Sequence, residues 1–271
     1  MLALLRKGPK RGRRLGRGAS LTRRIVAHTE AYGWREAVRN LLAAQHPDLF
    51  RYAADERASD WRFLLPTLPR GTALCAGGAL SPVPLSLAAT CERVVVSTHK
   101  LDAFFLRMRA QEEGLGNIEA VSYLLDEFVE QFDLVAGLRR ASGLQGDAWK
   151  LSLLEELTGR VKAEGHLYLE IDHPAILFPP MLLRRRLKAL GFGGVDFYWP
   201  KPTFKTCEML IPLGNRRLQR YYLHNLFFAM STKRRILREL LQLAVRINLF
   251  ELTLPGYIVV AKRRGGGQKA G

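Results

Sequence analysis

The sequence is short of cysteine, of acid and of long apolar runs, and each shortage excludes something. Cys75, Cys91 and Cys207 make an odd count with no C-x-x-C spacing. That rules against the disulfide framework of small secreted domains and the usual ligand pattern of structural zinc, so no metal is expected and a reducing, cytoplasmic setting is. No apolar stretch approaches the roughly 18 uncharged residues that a membrane-spanning helix needs. The apolar start at Met1 to Leu5 is too short for a signal-peptide core and lacks a small-residue cleavage site. Acid is scarce too: 25 Asp and Glu stand against 42 Lys and Arg, a net charge of +17. So large an excess raises the expectation of an anionic partner: nucleic acid, a peripheral anionic membrane or a phosphorylated substrate.

What is present suits a folded α/β chain. At 271 residues and 48% apolar content it can bury a sizeable core, as one domain with elaborations. The positive charge is uneven, with nine cations and no acid in residues 1–24 and ten cations against two acids in residues 201–250. Residues 1–20 therefore read as a disordered basic tail, either an arm on phosphates or a solvated end. Residues 21–70 read as a helical lead-in, with Gly33 separating two pieces and Ser59 or Asp60 capping a helix at Trp61. His28, Tyr32 and His46 in this lead-in are candidates to face a ligand, or purely structural.

The rest is organised around Thr72 to Leu101. Thr72-Ala-Leu-Cys-Ala76 is a short buried strand that breaks into the small residues Gly77, Gly78, Ala79 and Ser81, and Pro82 and Pro84 then open a helix. Arg93-Val-Val-Val-Ser97 is a second strand, and Leu101 to Gln111 a second helix. A strand alternating with a helix in this way makes a parallel sheet whose carboxyl ends carry the ligand. Small residues there let a ligand lie against backbone. Further strands are expected at Asn117–Val121, Phe132–Ala136, His166–Ile171, Val195–Trp199 and Tyr257–Lys262, with an amphipathic helix at Asp147–Ala163.

Phe63 to Pro69, the strand, loop and helix at 73–88, the strand at 93–98, Asn117-Ile-Glu-Ala-Val121 and Phe132-Asp-Leu-Val135 follow the order and spacing of class I S-adenosylmethionine-dependent methyltransferases. The resemblance covers roughly residues 60–200 plus the last strand. From Tyr198 into the segment 201–255, Tyr198-Trp-Pro-Lys-Pro-Thr-Phe204, Met209-Leu-Ile-Pro-Leu213 and Arg220-Tyr-Tyr-Leu223 resemble a bacterial subgroup associated with glycan or secondary-metabolite pathways. The resemblance implies a Rossmann-like seven-stranded sheet with helices on both faces. It divides the chain into the tail, the lead-in, a core at 71–200, a basic helical insertion at 201–255, the last core strand at 256–264 and a tail at 265–271. It also implies S-adenosylmethionine as cofactor, held by Ala76, Gly77, Gly78, Ala79, Ser97, Thr98 and His99.

Departures from the family pattern fall on these positions. Cys75 stands where the family has an acid, Ala79 and Ser81 hold two of three glycine places, and neither Ser97 nor Thr98 is the carboxylate that accepts from the ribose hydroxyls. After the fourth strand, Gly137 to Gly143 lack the Asn-Pro-Pro-Tyr type of motif, which argues against methylation of nucleic-acid bases. Asp172 and His173 end the fifth strand and are candidates for a general-base pair; Asp102 is a candidate cofactor contact or helix cap. The reading is a methyltransferase-like protein acting on a small-molecule or glycan-type acceptor. Its alternatives are a non-catalytic binding or scaffold protein of the same fold and a basic nucleic-acid-binding protein.

Overall fold

The computed structural model describes residues 12–122, 129–138, 151–172, 175, 179–201, 207–226, 232–247 and 249–265. Its centre is one sheet of eight strands: β1 (Thr72–Ala76), β2 (Arg93–Ser97), β3 (Ile118–Val121), β4 (Phe132–Gly137), β5 (Val161–Ile171), β6 (Phe192–Lys201), β7 (Met209–Pro212) and β8 (Tyr257–Arg263). They lie in the order β3-β2-β1-β4-β5-β8-β6-β7. The first five run parallel, and β8 enters antiparallel between β5 and β6. The last strand thus lies beside the fifth and sixth, as the resemblance implies. The expectation of seven strands is corrected to eight, because Met209-Leu-Ile-Pro212 pairs antiparallel with the end of β6 and extends the edge.

Alternation along the central strands buries both faces. Cys75, Val94, Val96, Ala136, Tyr168, Ile258 and Val260 meet one helical layer. It comprises α1 (Gly12–Tyr32), α2 (Trp34–Leu42), α3 (Pro47–Ala54), α4 (Val83–Ala88) and α5 (Lys100–Glu112). Leu74, Val95, Val135, Leu167, Leu169 and Val259 meet the other. That second layer comprises α6 (Leu151–Gly159), α7 (Pro180–Ala189), α8 (Arg216–Leu226) and α9 (Thr232–Arg246).

Several boundaries differ from the sequence reading. Helix α1 begins at Gly12, so the tail expected to be disordered through Ser20 is helical over its last nine residues; residues 1–11 and 266–271 lie outside the described residues. Around Trp61 the chain forms a 3₁₀ segment, Glu56–Leu64, and its cap is Asp55, whose side chain accepts from the Arg57 amide, rather than Ser59 or Asp60. Helix α6 ends at Gly159, because Val161 already pairs with Phe132 in β5. The split at Gly33 is as expected: its φ of +83° is one a residue with a side chain rarely adopts.

Candidate functional site

Strand order reverses at β1, which has β2 on one side and β4 on the other. In open α/β sheets the crevice outside the strand ends at such a switch point is where ligands bind. The chain leaves β1 through Gly77 and Gly78, with φ of +85° and +81°. The Gly77 amide donates to the Ser97 carbonyl at 2.8 Å, and the Ser81 amide donates to the Gly78 carbonyl at 2.8 Å. The buried Ser81 hydroxyl then accepts from the Val83 amide at 3.2 Å, which satisfies one of the unpaired amides opening α4. A β-carbon at Gly78 would lie 2.5 Å from Leu138 Cδ1, so Leu138 already occupies the space above that glycine.

Register fixes what shares this level. Ala76 lies opposite Ser97 in β2 and Gly137 in β4, and Gly137 lies opposite Leu169 in β5. One residue further on, Thr98, Gly77, Leu138 and Glu170 therefore form a row across the four strand ends, on the face of Cys75, Ala136 and Tyr168. Glu170 stands two strand spacings from Gly77, about 10 Å. The residues expected to hold a cofactor separate accordingly. Ala76, Gly77, Gly78, Ala79 and Thr98 gather at these ends. Ser97 is buried one residue back, so its side chain points to the other face. His99 is exposed and begins α5, its carbonyl accepting from the Ala103 amide at 2.8 Å. Cys75 is fully buried, and desolvation pushes its thiol far above the ordinary range, so the position where the family has an acid carries no charge. Asp172 follows β5, whereas His173 lies outside the described residues. Tyr32, considered as a ligand-facing residue, is 67% exposed and tilts against His28 at 5.5 Å.

Sequence reasoning missed the group that holds the loop. Arg109 of α5 is 3% exposed. Its guanidinium donates to the Leu80 and Ser81 carbonyls at 3.0 and 3.1 Å and to the Ala53 carbonyl at 3.0 Å. It lies 4.1 Å from the Trp34 ring centroid. Burial lowers its pKa to about 10, leaving it a cation at neutral pH. One charge thus ties the glycine loop to α3 and, through the indole, to α2. Nothing in the spacing of Arg109 within α5 distinguishes it from a surface arginine.

Beyond Glu170 the same face opens into a cavity of about 170 Å³, lined by Arg57, Asp60, Trp61, Tyr168, Glu170, Cys207, Glu208, Met209, Leu210 and Ile258. Its inner wall is rigid: Trp61 and Tyr168 stack with centroids 3.7 Å apart and planes 11° from parallel. The Tyr168 hydroxyl donates to Glu170 Oε1 at 3.0 Å. Burial, and then the Glu170 carboxylate, push that phenol well above its ordinary pKa, so it remains a donor. Its rim comes from the 3₁₀ segment before β1 and from the start of β7, the strand absent from the sequence reading.

No protein-family model matches this sequence, and no curated protein does. Solved structures do resemble it. A precorrin-6y C5,15-methyltransferase from Geobacter metallireducens is 15% identical, with 77% of this chain and 89% of that one covered and a TM-score of 0.43. The [4+2]-cyclase SpnF is 16% identical over 78% and 81%, with a TM-score of 0.46. A SAM-dependent methyltransferase from Thiobacillus denitrificans, solved with S-adenosyl-L-homocysteine, is 13% identical over 78% and 91%, with a TM-score of 0.43. At these values the neighbours say nothing of activity, and the fold rests on this chain's own strand order.

Proposed function

We propose that the chain binds S-adenosylmethionine at the carboxyl ends of β1 and β2, and that it transfers a methyl group to a small-molecule or glycan-type acceptor on the same face of the sheet. The observation that carries this reading is the row Thr98, Gly77, Leu138 and Glu170 at the switch point, with two successive left-handed glycines opening the loop. The bare backbone at Gly77 and Gly78 suits the cofactor's amino-acid end, which needs close approach over Ala76 to Ala79, once the Leu138 side chain swings off Gly78. Toward the ribose the row offers the Thr98 hydroxyl and no carboxylate. When bound, the cofactor supplies an electrophilic methyl group on a sulfonium. The chain's own part is to position and to exclude water: Leu138 is an apolar wall between glycine loop and acceptor side, and Tyr168 fixes the Glu170 carboxylate that faces the cavity.

Calorimetric titration with S-adenosylmethionine and S-adenosylhomocysteine tests this reading. Lacking one charge-assisted hydrogen bond worth about 1.5–3 kcal/mol, the chain is expected to bind ten- to a hundredfold more weakly than a site with the acid. Thr98→Asp is expected to recover that factor. Absence of binding at millimolar ligand in both proteins would overturn it. A second reading, a binding or scaffold protein without catalysis, is favoured by Leu138 already filling the space over Gly78, and that null titration is its expected result.

A further inference from the structure

We infer that α8 and α9 dock the protein on an anionic lipid surface. Helix α9 is apolar on two sides, and the chain itself covers one of them. Val245 is 2% exposed, and Leu241 and Ala244 pack with it against the cluster that holds Leu223 and Phe250. Leu240 and Leu243 lie on the other side, 58% and 50% exposed. Just beyond the helix, Ile247 is 55% exposed, and its amide donates to the Leu243 carbonyl at 3.0 Å. It therefore sits one turn above Leu243 and continues the stripe. The adjoining α8 repeats the arrangement. Gln219 and Leu223 form its buried side, whereas Leu218 and Tyr221, three residues apart, are 40% and 66% exposed. Leucine and isoleucine at helical spacing on the outer side have no cause in the fold, since the inner sides already supply the core.

Charge says what covers these residues. Helix α8 carries Arg216, Arg217 and Arg220 and no acid, and all three arginines are exposed. At the helical spacing Arg217 and Arg220 fall on one flank of Leu218 and Tyr221. Arg246, also exposed, flanks Leu243 and Ile247 in the same way, and Glu239 is the one acid in the α9 sequence. Aliphatic side chains match acyl chains. Arginines lay their stems along the apolar surface and reach the phosphates above it, and a tyrosine ring prefers the boundary between the two. Nucleic acid would engage the arginines but leave the leucines in water, and a second copy of the chain would bring like charge against like.

The inference holds whether or not the cofactor binds. Flotation of the full chain with vesicles of phosphatidylcholine alone, and of phosphatidylcholine with phosphatidylserine, tests it. Binding about tenfold tighter or more is expected to the vesicles that contain phosphatidylserine. Residues 1–24, with nine cations and no acid, attract such vesicles by charge alone, so the deciding variant leaves the charge unchanged. Leu243→Gln with Ile247→Gln is expected to weaken binding about tenfold or more, with the melting temperature unmoved because both side chains face solvent. A second variant spares the apolar stripe: Arg217→Gln with Arg220→Gln is expected to cost roughly fivefold per arginine. Equal binding to both vesicle types, no binding to either, wild-type affinity in both variants, or a wild-type dimer that Leu243→Gln with Ile247→Gln dissolves would overturn the inference.

Discussion

Gly78 and Leu138 compete for one volume. Gly78→Ala would put a methyl 2.5 Å from Leu138 Cδ1 on a backbone at φ +81°, so a loss of about 2–4 kcal/mol is expected in chemical denaturation. Because the overlap is specific, Leu138→Ala should relieve part of it, and the double variant should be less destabilised than the sum by about 1–2 kcal/mol. Strict additivity would show that the two residues do not press on each other. Arg109 acts on the same loop through two carbonyls, Leu80 and Ser81, and ties it to α3 through a third, Ala53. Arg109→Met keeps the bulk beside Trp34 but strips those acceptors of their donor, and about 3 kcal/mol of stability should go with it. A loss under about 1 kcal/mol would mean that water or a neighbour replaces the guanidinium. The glycines were legible in the sequence, since small residues after a short apolar strand have a physical cause. Arg109 was not, because burial of a cation leaves no periodic trace.

At the level of elements, Asp133 stitches three strands. Its Oδ2 accepts from the Thr72 amide at 2.7 Å and the Lys162 ammonium at 2.9 Å, joining β4 to the starts of β1 and β5. Partial burial works to raise its pKa, but the Thr72 and Lys162 hydrogen bonds outweigh that and hold it below the ordinary carboxylate value. A carboxyl depressed on folding stabilises the native state above its unfolded pKa of about 4, and that contribution is lost as pH falls through the lower folded value. Melting temperatures of wild type and Asp133→Asn should thus differ at pH 7 and converge as pH falls through the depressed folded value; a constant gap would refute the linkage. Strands β1, β2 and β4 were legible because short runs of buried apolar residues admit few alternatives. Strand β7 was not, since Met209 is 49% exposed and a Pro-ended edge segment lacks alternation. Nor was the stack of Trp61 on Tyr168, for residues over a hundred positions apart meet only once the sheet has formed.

Across the whole molecule, strand β8 lies between β5 and β6 and pairs with both, although it follows every other strand in the chain. That it is a strand was readable because Tyr257-Ile-Val-Val-Ala261 is apolar throughout, as a strand buried on both faces must be, whereas its place beside the fifth and sixth strands was implied by the family resemblance alone. Removing residues from Tyr257 onward should therefore do more than shorten an edge. It should leave β5 and β6 with open backbone facing each other, and the truncated protein should sediment as aggregate, whereas a soluble, cooperatively melting monomer would contradict this pairing. The same placement sets a sequence of events in time. On the ribosome the stretch from Pro212 to Tyr257 takes roughly 2–9 s to synthesise at ordinary elongation rates. For those seconds the nascent chain carries two unpaired strand edges with no partner yet made, and each is a template for another nascent chain. The cell must shield this protein longest just before its last strand emerges.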